Sequence, residues 1–281
     1  MKITISNPEN FEQTKAAMKK AGYDNLHILA DFDRTLTYGT INGVKTPSII
    51  SLLRDGHHLS EGYAEKAHAL FDKYHSIETD INIPMEERKS AMQEWWGKHN
   101  RLLIESGLSW SDLEDISQNG HVVFREGVVE FLDFLHEKNI PLVILSASGC
   151  GDAIRLFFKK IGKDYPNIYY VVNLLDWDEN GRAIGIRGKI IHSMNKAETI
   201  LREIPEVYEV IKDRKNVILL GDSIGDVGMI EGFDYDHLLK IGFLNFDYDQ
   251  WMTEYQKNFD LILEGDKDFK AVNDLIHNWE K

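Results

Sequence analysis

The chain has one cysteine, Cys150, in 281 residues, so no internal disulfide can form. A lone thiol suits a reducing compartment. No run of about 18 apolar residues is present, which excludes an ordinary transmembrane helix. Met1–Pro8 has no apolar core of the kind a signal peptide carries. Neither internal repeats nor low-complexity linkers occur. Basic residues are in deficit: 32 Lys and Arg face 46 Asp and Glu, a formal net charge of −14. Such a surface repels phosphate backbones, so polynucleotide binding through a basic patch is not expected. What remains is a soluble, cytoplasmic globular protein without a membrane partner, expected to act as a monomer. Its length fits roughly two domains and needs no disulfide to bury a core.

What is present alternates between helix and strand. An N-terminal helix around Phe11 and Met18 is expected to end near Gly22. The apolar run Leu26-His27-Ile28-Leu29-Ala30 then leads directly into Asp31-Phe32-Asp33. Val128, Phe131, Leu132 and Leu135 fall at i, i+3, i+4 and i+7, a helical stripe. The strand Leu142–Leu145 follows and ends at Ser146. Further strands are predicted at 168–172, 217–220, 239–243 and 261–263. Continuous apolar strands between amphipathic helices predict an α/β fold: a Rossmann-like, doubly wound, mostly parallel sheet with helices on both faces. Residues 45–120 hold helical patterns and no convincing buried strand. They predict a second, helical domain inserted into a core formed by 1–44 and 121–281. Asn42-Gly43 predicts a type I′ hairpin at the junction. A second hairpin turn is predicted at Asn180-Gly181, because the calcium-loop-like run that starts at Asp176 has Arg187 where a glutamate is needed.

Ligands of open α/β sheets bind beyond the carboxyl ends of the strands. One strand delivers Asp31 and Asp33, two positions apart and so on one face in extended geometry. A second delivers Ser146, and a third delivers Gly221-Asp222-Ser223-Ile224-Gly225-Asp226. Two unit charges 4 Å apart repel by about 4 kcal/mol at an effective dielectric near 20. A convergent set of these carboxylates therefore needs a cation or a shared proton. Oxygen-only ligands open to water favour Mg²⁺.

Asp31-Phe32-Asp33-Arg34-Thr35-Leu36 resembles the signature of the haloacid dehalogenase-like phosphatases. Ser146, Lys196 and Gly221–Asp226 follow in that superfamily's order. Across nearly the whole chain the sequence is similar to the cytosolic type III pyrimidine 5′-nucleotidases. Tyr74–Asp80, Glu94-Trp95-Trp96, Ile190-Ile191-His192, Asn195-Lys196 and Leu239–Asn245 carry that similarity. The resemblance implies hydrolysis of pyrimidine or 7-methylguanosine nucleoside 5′-monophosphates through an aspartyl-phosphate. In this chain it implies Asp31 as nucleophile, Asp33 as general acid and base, and Mg²⁺ on Asp31, Asp222 and the Asp33 carbonyl. Lys196, Ser146 and Ala147 would hold the phosphate, with Asp226 and Ser223 in support. It implies that the helical domain is a cap, with nucleotide contacts by Glu78, Trp96 and His99.

Alternatives stand beside several of these residues. Trp96 fits either cap core or a stacking platform, and Glu78 is either a ligand or one exposed acid among many. Arg34 replaces an apolar residue of the family, and His99 replaces a serine. The loop after Ser146 is one residue longer than in the family. The rival functions are a phosphatase of the same superfamily acting on phosphoserine or a sugar phosphate and, more remotely, a phospho-accepting receiver-like module.

Overall fold

A computed structural model of the chain describes residues 2–56, 58–80, 82–120, 122–196 and 204–280. Its centre is a seven-stranded sheet. In chain order the strands are β1 (Ile3–Ile5), β2 (Leu26–Ala30), β5 (Leu142–Ser146), β6 (Ile168–Val172), β9 (Asn216–Gly221), β10 (His237–Leu244) and β11 (Leu261–Glu264). The spatial order is β1-β11-β10-β9-β2-β5-β6. Every pairing is parallel except β1 with β11, an antiparallel edge that strand periodicity did not reveal.

All five residues of β2, all five of β5 and all six of β9 are buried. Burial on both faces explains why these segments read as unbroken apolar runs. Side chains alternate between two cores. On one face Ile28, Ala30, Ile144 and Ile218 pack with Phe11 and Met18 of α1 (Pro8–Ala21). Phe131 and Leu132 of α6 (Val128–Glu137) and Phe157 of α7 (Asp152–Lys160) complete that side. On the other face Leu29, Val143, Val217 and Leu219 pack with Val207 and Ile211 of α8 (Pro205–Ile211) and Tyr255 of α9 (Tyr248–Asn258). A fully buried Leu or Ile side chain contributes about 1.5–3 kcal/mol, so this doubly covered sheet is a rigid base for whatever sits at its rim.

After β2 the chain turns away through the hairpin of β3 (Thr40–Ile41) and β4 (Val44–Lys45). Asn42 and Gly43 between them have φ of 53° and 78°, the doubly positive geometry of a type I′ turn. Helices α2 (Ile49–Asp55), α3 (Tyr63–Thr79), α4 (Met85–Glu105) and α5 (Trp110–Asn119) follow before the chain returns to α6. The predicted hairpin around Asn180-Gly181 is also present, joining β7 (Leu174–Trp177) to β8 (Ala183–Arg187). It meets the helical insert where the Trp110 N–H donates to the Gly181 carbonyl at 2.7 Å. His58 lies against α5, 3.6 Å from Asp115 and 4.0 Å from Asp112. The helix expected to open at Lys196 falls on residues 197–203, outside the described residues.

Candidate active site

The carboxyl ends of β2, β5 and β9 meet at one rim. The Asp31 N–H donates to the Leu220 carbonyl at 3.0 Å, so Asp31 continues the ladder between β2 and β9 by one residue. Phe32 turns into the core against Phe157 and Phe158, which leaves Asp31 and Asp33 on the opposite side. The Thr35 and Leu36 amides bond back to the Phe32 carbonyl, and Arg34 sits in the left-handed region at φ 60°. This turn ends the strand immediately behind its two carboxylates.

Lys196 ties the site together. Its Nζ donates to Asp31 Oδ1 at 2.6 Å and to Asp226 Oδ1 at 2.7 Å, with all three side chains buried. Asp226 Oδ2 accepts the backbone N–H groups of Asp222 and Ser223 and the Ser223 hydroxyl. Asp226 thus closes the loop after β9 and orients Lys196. It also explains Gly221, because a Cβ there would lie 2.5 Å from the Asp226 Cβ.

Asp31, Asp222 and Asp226 offer oxygens that all lie within 4.8 Å of one another. Burial pushes the Asp31 carboxyl up to about 7; Lys196 opposes that rise, while Asp226 and Asp33 add to it. Burial also holds Asp222 well above the usual carboxylate range, reinforced by Asp226 and Asp31. Burial works against the charge of Lys196, yet Asp226 and Asp31 keep its pKa above the ordinary value. Two of these three carboxylates, Asp31 and Asp226, therefore share one ammonium. Among the described residues the Asp222 carboxylate accepts no hydrogen bond. A hard divalent cation fits this donor set, since it would relieve the repulsion and partner Asp222. Asp33 stands outside the group of three. Burial, opposed by Arg34 and Lys196, lifts its carboxyl to about 6.

Ser146 is buried at the end of β5, and its Oγ accepts the Ser148 N–H at 3.1 Å. Ala147 is half-buried beside it, packed toward the core. From the helical insert, Glu78 Oε1 accepts the Ser193 hydroxyl at 2.6 Å, bringing the insert to the loop that presents Lys196. Trp96 is half-buried and stacked with Trp95 and His99, each 5.6 Å away between ring centres. Its ring lies on the loop after Ser146 so closely that a Cβ on Gly149 would sit 2.3 Å from Trp96 Cζ3. His99 is placed differently from a solvent-facing ligand. It is 3% exposed and its Nε2 is 3.0 Å from the Tyr63 hydroxyl, while burial lowers its pKa to about 4.

Sequence reasoning missed Arg125. Its side chain is fully buried and donates to the Thr35 carbonyl at 2.8 Å, to Asn245 Oδ1 at 2.8 Å and to Asp266 Oδ1 at 3.0 Å. Asn245 in turn donates to the Arg34 carbonyl at 3.0 Å. These bonds fasten the turn behind Asp31 and Asp33 to β10. A single arginine between Phe124 and Glu126 carries no periodic signal of such a role.

A parallel sheet of this order, with a carboxylate cluster and a lysine at its rim, defines the class as a haloacid dehalogenase-like phosphatase fold. Phosphoserine phosphatase, solved as a phospho-aspartyl intermediate analogue, superposes with a TM-score of 0.51 at 21% identity. That superposition covers 89% of this chain and 98% of that one, a likeness of fold. Residues 34–279 match the family model of pyrimidine 5′-nucleotidase (UMPH-1), and the chain belongs to that family. It is accordingly an enzyme of the 5′-nucleotidase class, a phosphoric monoester hydrolase. The 7-methylguanosine phosphate-specific 5′-nucleotidase of Homo sapiens is 33% identical over 281 residues, covering 99% of this chain and 93% of that protein. The Drosophila melanogaster protein of the same name is 31% identical over 279 residues, covering 99% and 87%. The crystal structure of cytosolic 5′-nucleotidase IIIB bound to cytidine superposes with a TM-score of 0.91 at 29% identity, covering 99% of this chain and 93% of that one.

Proposed function

We propose that this chain hydrolyses pyrimidine or 7-methylguanosine nucleoside 5′-monophosphates by way of an aspartyl-phosphate on Asp31. The observation that carries the reading is the convergence of Asp31, Asp222, Asp226 and Lys196 within hydrogen-bond and ligand distance at one sheet rim. Asp31 attacks phosphorus as the bond from phosphorus to O5′ breaks, and Asp33 gives its proton to O5′. A carboxyl with a pKa near 6 is still partly protonated close to neutrality, as a general acid requires. The nucleoside leaves. Asp33 then takes a proton from water, whose oxygen attacks phosphorus and breaks the bond to Asp31, releasing phosphate. Lys196 and Ser146 hold the non-bridging oxygens through the transfer, and Ala147 borders them. Asp31, Asp222 and the Asp33 carbonyl would hold Mg²⁺, which when bound supplies positive charge that offsets repulsion between the carboxylates and the phosphate.

Within this reading residues 45–120 form a cap over a core of 1–44 and 121–281. Glu78 and Trp96 face the nucleoside, and buried His99 sets the position of Trp96. The enzyme works as a cytoplasmic monomer without polynucleotide partners. The cytosolic nucleotidase of similar structure supports the location. Among the described residues no helix is long and apolar enough to cross a membrane. Phosphate release from CMP, UMP, 7-methylguanosine monophosphate, phosphoserine and sugar phosphates, with and without Mg²⁺, tests the proposal. Preference for the nucleotides with Mg²⁺ is expected. Equal rates on all substrates would overturn the nucleotide assignment, and a stable phosphoprotein without turnover would overturn the enzyme.

A further inference from the structure

An open cavity of about 260 Å³ borders the loop after β9 and shares Asp222 as a wall with the carboxylate cluster. Its remaining walls include Leu244, Phe246, Trp251 and Tyr255, with Asn245 and Asp247 as polar groups. Three aromatic side chains around one small space make a slot suited to a flat ring. A volume below the ~300–1,000 Å³ of sites for drug-sized ligands fits one ring system, not a whole nucleotide.

The polar groups specify the ring further. Asp247 caps α9 in the left-handed region at φ 50°, and its side chain makes no capping bond to that helix. The carboxylate accepts no hydrogen bond among the described residues, so it is free to take N–H groups from a ligand. Against one of its walls, Lys45 Nζ lies 4.6 Å and the Arg34 guanidinium 5.9 Å from the centre of the Phe246 ring. The Tyr255 hydroxyl donates to the Asp222 carbonyl, which joins the cavity wall to a residue of the carboxylate cluster.

We propose that this cavity is a second ligand site that takes the base of a nucleoside bearing an exocyclic amino group. The ring lies among Phe246, Trp251 and Tyr255, and the amino group donates to Asp247, as carboxylates accept from the cytosine amine in nucleic-acid readout. The ribose points outward past Lys45. The cavity stands independently of the reaction, whereas the choice of a nucleoside rests on the proposed function, whose product would be made one loop away. Occupancy here would bear on Asp222 through Tyr255 and so couple product level to the carboxylate cluster.

The test is calorimetric titration of cytidine and of uridine into the full chain in the presence of Mg²⁺. Two cytidines per chain are expected. Trp251→Ala, at a position already 40% exposed, is expected to bind one. Asp247→Asn, on an exposed carboxylate, should weaken the second cytidine about tenfold and leave uridine unchanged. A single cytidine per chain in the native protein, or two undiminished in both variants, would overturn the proposal. Phosphate release from CMP, measured separately, shows whether the function reading has failed instead.

Discussion

One ammonium serves two carboxylates at Lys196, so its loss leaves Asp31 and Asp226 facing each other. Lys196→Met keeps the length of the side chain and removes the charge. Phosphate release is expected to fall by at least about a hundredfold, the scale of losing one charge-stabilising donor. Asp31→Asn is expected to abolish turnover altogether, and initial rates on CMP check both. Retained turnover in Asp31→Asn would sink the nucleophile assignment. A second residue-scale consequence concerns His27, buried in β2. Its Nδ1–H donates to the Arg214 carbonyl at 2.8 Å, while Nε2 is buried without a partner among the described residues. Burial lowers its pKa to about 4, so folding prefers the neutral ring. The unfolded chain takes up the proton first, near 6.5, so this contribution is intact above that value and is lost as the pH falls from about 6.5 to about 4. At roughly 1.4 kcal/mol per unit, the loss is up to about 3 kcal/mol. Urea unfolding at pH 7, 6 and 5 should show the decline, and His27→Asn should flatten it. An identical slope in the variant would refute the assignment to His27.

Among the elements, the passage from β2 into the helical insert depends on a contact that spans most of the chain. Asp266 accepts the Gly39 and Thr40 N–H groups and the Thr40 hydroxyl, each at 2.7 Å, and also holds buried Arg125. Asp266→Ala would strand the arginine charge in the interior, so a loss of about 3–5 kcal/mol is expected. Chemical denaturation measures it, and a loss below 1 kcal/mol would show that solvent or a neighbour replaces the carboxylate. The same pairing marks where the sequence stops being legible. Strands β2, β5 and β9 could be read because burial on both faces writes an unbroken apolar run, and Asp31, Ser146 and Asp222 could be read as the polar residues ending those runs. Edge strand β1 has three residues and pairs with β11, some 260 positions away, so no local pattern announces it. Arg125 with Asp266, and Glu78 with Ser193, join residues 141 and 115 positions apart. His99, expected to contact the nucleotide, packs against Tyr63 and Trp96. A face decided by tertiary packing leaves no mark in spacing.

At the scale of the molecule, the surplus of 14 negative charges divides in two. Most of it is solvated and screened within about 8–10 Å at physiological salt. The part gathered at Asp31, Asp33, Asp222 and Asp226 is enclosed and weakly screened, and Lys196 is too small a counterweight for it. A substrate phosphate would add two more negative charges to the same rim. If Mg²⁺ supplies the missing positive charge, its removal should act on folding as well as on catalysis, because only the folded chain assembles Asp31 and Asp222. A ligand present at a hundred times its dissociation constant stabilises the folded state by about 2.7 kcal/mol. For a chain of this size that corresponds to a rise in thermal midpoint of roughly 5–10 °C. Adding Mg²⁺ to chelator-treated protein should therefore raise the midpoint and restore phosphate release over the same concentration range. Asp222→Asn should blunt both responses together, since it removes the carboxylate that accepts no hydrogen bond among the described residues. If chelation abolished activity but left the midpoint of both proteins unmoved, the cation would belong to the substrate, and the carboxylate cluster would have to be balanced by protons.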